Sequence, residues 1–434
     1  PNAPLQGIQI VDPTGNVRGT IQLNRNLAGE YRDAHVFLPG NQGQPSGVAL
    51  GTDTQAAVFV YGLDGRLQRY YRDHQGEVTS LSVTPDGRFL VSSSRDQTLK
   101  VWSLEGVGKA SQFSRFSEFG CDFVIEGNQL IVRNVLKPGI AFGRNMRDGD
   151  RLLQLDVVQN GQIVEQTAAP EMLRSLQTLD VLQDQFTFRV QRGGAAQPAR
   201  PVMFGWEPLL TLFLDTRDEW AMFTPEGYYD ASPAEGHRLF GWHTNLGRGR
   251  TPRFELAENL QKDFEKPDII RQLFQQGNLP DALNAAGQPV PANFTQQLAS
   301  SIQNTPQVKI VEPRQSFQPA AGQTEVQARA QIDLPAGMTA EQVDVKLFSA
   351  GRAVETQFDP ATGQATARVP VDQPLTALEA TVTEKGKPIQ NATQQRDQLS
   401  VRGNLFPAKA RPEEVHLHFL LVACEKFPQV PGLN

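Results

Sequence analysis

Cysteine is scarce in this chain. Only Cys121 and Cys424 occur in 434 residues, far apart in sequence, so neither a disulfide framework nor a four-ligand zinc site can be built from them alone. No stretch of about 18 consecutive apolar residues exists, which excludes a membrane-spanning helix of ordinary length. The chain opens Pro1-Asn2-Ala3-Pro4, without an initiator methionine or a signal peptide. It is therefore expected to be soluble, cytoplasmic rather than exported, and to begin after the start of its gene. Long runs of one charge are also missing: 41 Lys+Arg against 47 Asp+Glu give a net charge of −6. That balance favours neither a nucleic-acid cradle nor a polybasic membrane anchor, and the expected partners are proteins or peptides. No cofactor or metal signature is present. What remains is an ordinary globular composition, 39% apolar and 20% charged, with 37 Gly and 30 Pro making it slightly rich in turn formers. Disorder and coiled coil are both excluded, and the length predicts two to four domains.

The N-terminal third repeats itself. Ile8 to Gly15, Val58 to Gly65 and Leu99 to Gly106 each read as a strand followed by a tight turn, and Val11, Tyr61 and Trp102 stand 50 and 41 residues apart. Four-stranded repeat units recur at about 40–45 residues. In the last unit Val78 to Val83 alternates, Thr84-Pro85-Asp86-Gly87 turns, Arg88 to Ser93 forms a second strand, and Asp96-Gln97 turns into Thr98 to Trp102.

This unit resembles the WD-repeat family, with Asp73-His74 where that family has Gly-His and Trp102-Ser103 where it has Trp-Asp. The resemblance implies a hydrogen-bonded chain of His74, Ser92 or Ser94, Asp96 and Trp102, whose role would be to satisfy polar groups buried in the blade. A catalytic Ser-His-Asp set has the same residue types, but the strand-and-turn context accounts for every member as structural. About two and a half blades fit before residue 110. A closed propeller generally needs four or more, so the chain is expected to be a fragment, or one part of a longer product whose earlier blades are missing, the alternative being that the stub packs on a neighbouring domain or subunit.

From residue 119 to 193 the pattern changes. Asn128 to Val135 reads as a strand, Lys137-Pro138-Gly139 as a turn, and Arg147-Asp148-Gly149-Asp150-Arg151-Leu152-Leu153 as Gly-Asp before an apolar strand; a helix follows at Glu171 to Thr178 and a strand at Phe186 to Val190. This looks like a PDZ domain, which adds a guest peptide as an extra strand. Gly139-Ile140-Ala141-Phe142-Gly143 is the string nearest to that family's carboxylate-binding loop, making Ile140 and Phe142 its candidate peptide contacts. It precedes a different element from the one expected, however, and residues 159–170 form a long insertion. The groove is accordingly expected to be filled by the chain itself.

Residues 198–201 read as a linker. An aromatic-rich α+β block then spans residues 202–304 and holds three of the four tryptophans, Trp206, Trp220 and Trp242. Helices are expected at about residues 256–264, from Pro267 to about Gln276, and in shorter stretches to about Asn304. Glu226, Asp230, His237 and His243 invite a metal or acid/base reading, but two histidines six apart do not share a helix face, so turn and packing roles are expected. Tyr228, Tyr229 and Trp242 are expected to form a small irregular core rather than a ligand-stacking platform. The strings Thr224 to Ser232, Gly241 to Asn245 and Lys266 to Ile270 are similar to a block of bacterial WD-repeat proteins that carry a caspase-like (metacaspase-type) protease domain.

Residues 306–403 show short alternating strands at Val308 to Val311, Glu325 to Ile332, Gln342 to Phe348, Ala365 to Val371, Leu378 to Thr383 and Leu399 to Arg402, the spacing of an immunoglobulin-like sandwich. Residues 413–434 then include the apolar run Val415 to Cys424. In the resembled family such a strand opens the caspase-like domain, whose catalytic His and Cys come later, so the resemblance gives Cys424, His416 and His418 no catalytic role. The fold expected is thus mainly β and multidomain: a partial WD-repeat β-propeller, a PDZ-like domain, the aromatic block, an immunoglobulin-like sandwich and the first strand of a caspase-like α/β domain. The function expected is the non-catalytic regulatory and scaffolding region of a bacterial caspase-like cysteine protease acting in cell-death or defence signalling. The alternative is a complete non-enzymatic scaffold, itself a protease substrate.

Overall fold

The computed structural model describes residues 7–12, 14–22, 31–40, 44–53, 55–159, 162–168, 171–179, 185–197, 200–202, 205–244, 253–291, 294–313, 324–370, 375–386 and 394–402. The fold is mainly β. It divides into two compact units, residues 1–228 with 267–290, and residues 229–266 with 291–434.

The first unit begins with a hairpin, Gly7–Val11 against Val17–Gln22. Its turn is held by Asp12, whose carboxylate accepts from the Thr14 amide (2.9 Å) and hydroxyl (2.6 Å) and from the Asn16 amide (3.0 Å). Next comes a four-stranded antiparallel sheet in sequence order, Tyr31–Pro39, Pro45–Thr52, Ala57–Gly62 and Leu67–Arg72. Alternation gives this sheet two apolar faces. On one, Val48, Leu50, Phe59 and Tyr70 pack with Ile10 and Ile21 of the hairpin. Backbones approach so closely there that a Cβ on Gly19 would lie 1.7 Å from the Leu63 carbonyl oxygen. On the other face Ala49, Val58, Val60 and Tyr71 meet Val78, Leu81, Leu90 and Trp102 of the following sheet.

That following sheet is assembled from two parts of the chain. Val78–Val83, Phe89–Ser94 and Thr98–Ser103 form an antiparallel meander as the sequence predicts. Its fourth strand is Leu210–Leu214, which pairs with Thr98–Ser103 and then with Trp220–Phe223. By sequence, residues 210–214 belong to the aromatic block. Nothing in Leu210-Thr211-Leu212-Phe213-Leu214 names its neighbour, because pairing over such a separation is fixed by tertiary packing.

Between Ser103 and Leu210 lies an inserted module. Its sheet runs in the order Asp122–Glu126, Gln129–Arg133, Arg151–Gln159, Gln185–Arg192 and Ala195–Ala196, with Gln162–Ala168 beside Arg151–Gln159 and Arg200–Val202 beside Gln185–Arg192. Residues 162–168, within the stretch read as an insertion, form a strand, and Pro201, read as linker, lies in one; both segments lack the alternation that marks a half-buried strand. Helix Met172–Thr178 buries Met172 and Leu176. Asp150 is fully buried and is held by Arg192 through Nε and Nη2, both at 2.7 Å, while it also accepts from the Arg147 amide.

Arg69 and Trp206 fasten this module to the sheet. The Arg69 guanidinium is fully buried, lies 3.4 Å from the Trp206 ring centre, and donates to the carbonyls of Ser117 (3.0 Å), Ser103 (3.0 Å) and Glu105 (2.8 Å). Trp206 donates its indole N–H to the Glu118 carbonyl at 2.8 Å and its amide to the Tyr70 carbonyl at 2.8 Å. Burial lowers the Arg69 pKa, with Tyr71 and the charge of Glu105 opposing it, and the guanidinium meets three carbonyl dipoles and a π face. Helices Pro267–Gln276 and Leu279–Ala285 complete the unit. Arg88 donates to the Phe274 (3.3 Å) and Gln275 (2.9 Å) carbonyls at the end of the first, which no intrahelical amide can serve.

In the second unit Tyr229, Phe240, Trp242 and Phe264 form a ring cluster with centroids 5.0–6.3 Å apart, around the hairpin Gly241–Thr244 with Arg253–Leu256. Residues 256–264, expected as one helix, form a 3-10 turn, Ala257–Leu260, followed by a single α turn, Gln261–Phe264. The unit goes on with helix Phe294–Gln303 and two four-stranded sheets. Gln307–Glu312, Glu325–Asp333, Gln364–Pro370 and Thr356–Asp359 make one; Arg352–Val354, Val343–Ser349, Leu375–Glu384 and Gln394–Arg402 make the other. They share one core, in which Ala328, Ala330 and Ala365 face Leu347, Ala380 and Val382. The short strands within residues 352–359 escaped the sequence reading because most of their residues are exposed and carry little pattern. Residues 413–434, with Cys424, His416 and His418, lie outside the described residues.

Candidate functional site around His74

The polar residues singled out in the repeat come together in the sheet that ends at Trp102. A tight turn between Phe89–Ser94 and Thr98–Ser103 places Gln97 at φ 67°. It aims the Asp96 carboxylate back at the loop before Val78–Val83. Oδ1 accepts from the Thr98 amide (2.9 Å) and hydroxyl (2.6 Å); Oδ2 accepts from the Gln75 amide (2.9 Å) and faces His74 Nδ1 at 2.8 Å. On the far side of the imidazole, Nε2 lies 2.7 Å from Ser92 Oγ, which accepts from Trp102 Nε1 at 2.8 Å.

The indole N–H can only donate, so Ser92 Oγ accepts from Trp102, and a hydroxyl proton turned to Nε2 with Nδ1–H facing Asp96 is one arrangement that satisfies every contact. Burial works against the charge on Asp96, but the His74 and Thr98 bonds, the imidazole's attraction and the Gln75 amide outweigh it and hold this carboxyl well below the ordinary range. Ser92 and Trp102 are fully buried and His74 nearly so.

Of the two serines considered, Ser92 is in the chain, while Ser94 accepts from the Asp96 amide (3.1 Å) and donates to the Gly76 carbonyl (2.9 Å). The spatial order Trp-Ser-His-Asp matches a catalytic set in composition only. A nucleophile must reach a substrate, whereas Ser92 Oγ is sealed beneath an indole and an imidazole. Sequence reasoning missed the surrounding partners. Lys100, buried in the same sheet, pairs with Asp73 and donates to Thr211 Oγ1 at 3.2 Å, and Tyr71 donates to the Ser103 carbonyl at 2.6 Å with its ring 5.1 Å from Trp102. Strand Leu67–Arg72 buries Arg69, Tyr70 and Tyr71 in a row, so no alternation marks its inward residues, and Lys100 on Thr98–Ser103, like Arg69, reads as an outward cation.

The other candidate residues are dispersed. Ile140 is buried in the core, and Phe142 is half-buried beneath the Arg147 guanidinium at 3.9 Å. His237 lies 3.6 Å from Glu258, which pairs with Arg238 at 3.2 Å. Asp230 accepts from the Ala231 amide. Burial, followed by the charge of Glu207, pushes the Glu226 carboxyl up to about 7. Among the described residues no group of three or more His, Cys, Asp or Glu is placed to hold a metal ion, and no helix is long and apolar enough to cross a membrane.

A three-stranded meander with a buried tryptophan and an Asp-His-Ser relay, completed by a strand from far along the chain, defines a class of β-sheet repeat. Residues 65–103 match the family described as WD domain, G-beta repeat. The chain is similar to human WD repeat-containing protein 3, at 31% identity over 88 residues, covering 20% of this chain and 9% of that protein. It is also similar to the COMPASS component SWD1 of Saccharomyces cerevisiae (strain ATCC 204508 / S288c), at 32% over 71 residues, covering 16% of this chain and 17% of that protein. The matches thus span less than a fifth of either relative. Among solved structures, the computationally designed Ika8 protein aligns with 36% of this chain and 41% of its own at 20% identity and a TM-score of 0.18. KlHsv2 with loop 6CD replaced by a Gly-Ser linker aligns with 38% of this chain and 54% of its own at 17% identity and a TM-score of 0.20. The WD repeat points to protein–protein interaction or scaffolding.

Proposed function

We propose that this chain is the non-catalytic scaffolding region of a bacterial caspase-like cysteine protease. In this reading the sheets of residues 7–103 and 210–223 are part of a β-propeller, the inserted module is PDZ-like, and residues 306–403 form an immunoglobulin-like sandwich. The WD repeat at residues 65–103 carries the interaction part of the reading. Its buried polar chain commits His74, Ser92, Asp96 and Trp102 to holding the sheet, leaving the sheet's rim and loops for partners. The strings Thr224 to Ser232, Gly241 to Asn245 and Lys266 to Ile270, similar to the block that joins propeller and protease in that family, support the rest.

In the parent protein a Cys-His dyad would cleave peptide bonds, the imidazole activating the thiolate, and the present chain would place substrates or regulators beside it. The test is a cleavage assay with peptides bearing acidic and basic P1 residues, run on these 434 residues and on the product of the whole reading frame. Turnover is expected from the longer product only. Turnover by the 434-residue chain that disappears in Cys424→Ala overturns the reading, as does a whole product that binds partners but cleaves nothing.

A further inference from the structure

Two short turns of the second unit meet on a cluster of charge. Gly236–Arg238 and Ala257–Leu260 are single 3-10 turns that touch each other, and the second also lies against strand Gln394–Arg402. Tyr229 holds that second turn to the ring cluster, its hydroxyl donating to the Ala257 carbonyl at 3.0 Å. Neither turn is long enough to be stable by itself, so the seat of each depends on what joins them.

What joins them is Glu258, whose side chain is 7% exposed. Arg238 Nε donates to its Oε2 at 3.2 Å, and Arg238 Nη1 reaches Glu235 Oε1 at 3.2 Å. Glu379, on strand Leu375–Glu384, adds a third carboxylate whose charge bears on Glu258. Three carboxylates thus share one permanent cation. Beside them Glu255 is fully buried and accepts from Asn259 Nδ2 at 2.9 Å. Strand Gln394–Arg402 carries Arg396, Asp397 and Arg402, the first two set opposite Thr381 and Ala380 in the register.

His237 completes the cluster. Its Nε2 lies 3.6 Å from Glu258 Oε2, and its side chain is 20% exposed. At that distance a neutral imidazole makes no hydrogen bond to the carboxylate, whereas an imidazolium forms an ion pair with it. The contact therefore strengthens only when the ring takes a proton, and its partial exposure lets solvent supply one. Glu258 works in the same direction. Burial pushes its carboxyl up and Arg238 pulls it down, while the charges of Glu379 and Glu235 push it up again, so the cluster gains uncompensated negative charge as pH rises.

We propose that the joint between Gly236–Arg238 and Ala257–Leu260 is a proton-operated latch, closed while His237 is an imidazolium paired with Glu258 and loosened when the ring is neutral. Imidazoles change charge between about pH 5 and 8, so the latch responds to modest acidification. It goes beyond the scaffold reading and does not depend on it.

The experiment is hydrogen exchange by mass spectrometry on the full 434-residue chain between about pH 5 and 8, with protection corrected for the intrinsic pH dependence of exchange. Protection of amides 236–239 and 257–261 should fall at least about fivefold as pH rises, while amides 326–332 in the shared core of the two sheets stay level. His237→Gln, polar but without a titrating ring, should show no such fall. Level protection in the wild type overturns the proposal, as does an undiminished fall in His237→Gln or a fall shared equally by residues 326–332. A second measurement needs no variant: the ring protons of His237 are followed by NMR in the wild type. Their titration midpoint should coincide with that of the protection change, and midpoints more than about one pH unit apart assign the change to another group and sink the proposal.

Discussion

Replacing Asp96 by alanine removes the acceptor at the head of the buried relay. Three donors lose a charged partner, the amides of Gln75 and Thr98 and the Thr98 hydroxyl, and so does His74 Nδ1. The Gln75 amide lies at the surface, where water can replace the carboxylate, whereas Thr98 is 6% exposed and its two donors are part-buried. The imidazole cannot be rescued in this way, because its side chain is 0% exposed. A buried donor left unsatisfied costs about 1–3 kcal/mol, so the sum is about 3 kcal/mol. For a unit of this size that is a fall of about 6–12 °C in melting temperature, read by near-UV circular dichroism, where the packing of Trp102 reports directly. The pH dependence gives a second check. Because the folded carboxyl sits below its ordinary value of 3.8, its contribution is complete above that value and is lost as pH falls toward the folded one. The gap between wild type and variant should therefore be constant above about pH 5 and shrink below about pH 4. Asp12→Ala serves as the control: it has a similar set of local donors but lies at an exposed turn, and should shift the melt far less. If Asp96→Ala melts within 2 °C or so of the wild type while partner binding is lost, the relay is a binding site and the structural reasoning is wrong.

Arg69→Met keeps the apolar stem but removes three charge-assisted bonds to carbonyls and the stacking on Trp206. It should cost about 3 kcal/mol in urea denaturation, and a loss below about 1 kcal/mol would mean that the module is held elsewhere. Glu226, its carboxyl raised to about 7 from 4.5, binds a proton more tightly folded than unfolded, so wild-type stability should drop as pH rises from about 4.5 to 7 and stay low above. Glu226→Gln should remove that slope and gain up to about 3 kcal/mol at pH 8; parallel pH profiles would refute the burial argument. Gly19→Ala should free the hairpin Gly7–Val11 with Val17–Gln22 from the Leu63 carbonyl, seen as faster hydrogen exchange in residues 7–22 with the strands of residues 45–72 unchanged. Leu347→Ala in the shared core of the second unit should cost about 2–4 kcal/mol, measured by thermal unfolding of that unit's transition.

What could be read from the sequence was local. Val78 to Trp102 is divided by Pro-Asp-Gly and Asp-Gln turns, so its three strands stand where those turns put them. The polar chain from His74 to Trp102 was legible for the same reason, because each member sits at a fixed step of one repeat. The fourth strand was not legible, since Leu210–Leu214 earns its place only by pairing with residues more than a hundred positions earlier. Arg69 and Lys100 were missed because pattern reading sends cations outward, and here carbonyls and one carboxylate admit them to the interior. Phe113 lies in a loop, where no periodicity marks a buried ring.

The strand that arrives late sets an order on folding. Thr98–Ser103 leaves the ribosome with its outer edge unpaired and waits for 107 further residues before Leu210 appears. At about 5–20 residues per second that is a delay of about 5–20 s, during which a β-rich edge is open to other chains. Closing so long a connection rather than a six-residue loop costs about 2–3 kcal/mol more in chain entropy when the intervening residues are unstructured. A module that folds first shortens the effective loop, and its Trp206 then meets Tyr70 and Glu118 a few residues before Leu210. Substitutions that slow the module alone should therefore reduce the yield of the whole first unit during synthesis, even where the finished protein is as stable as before.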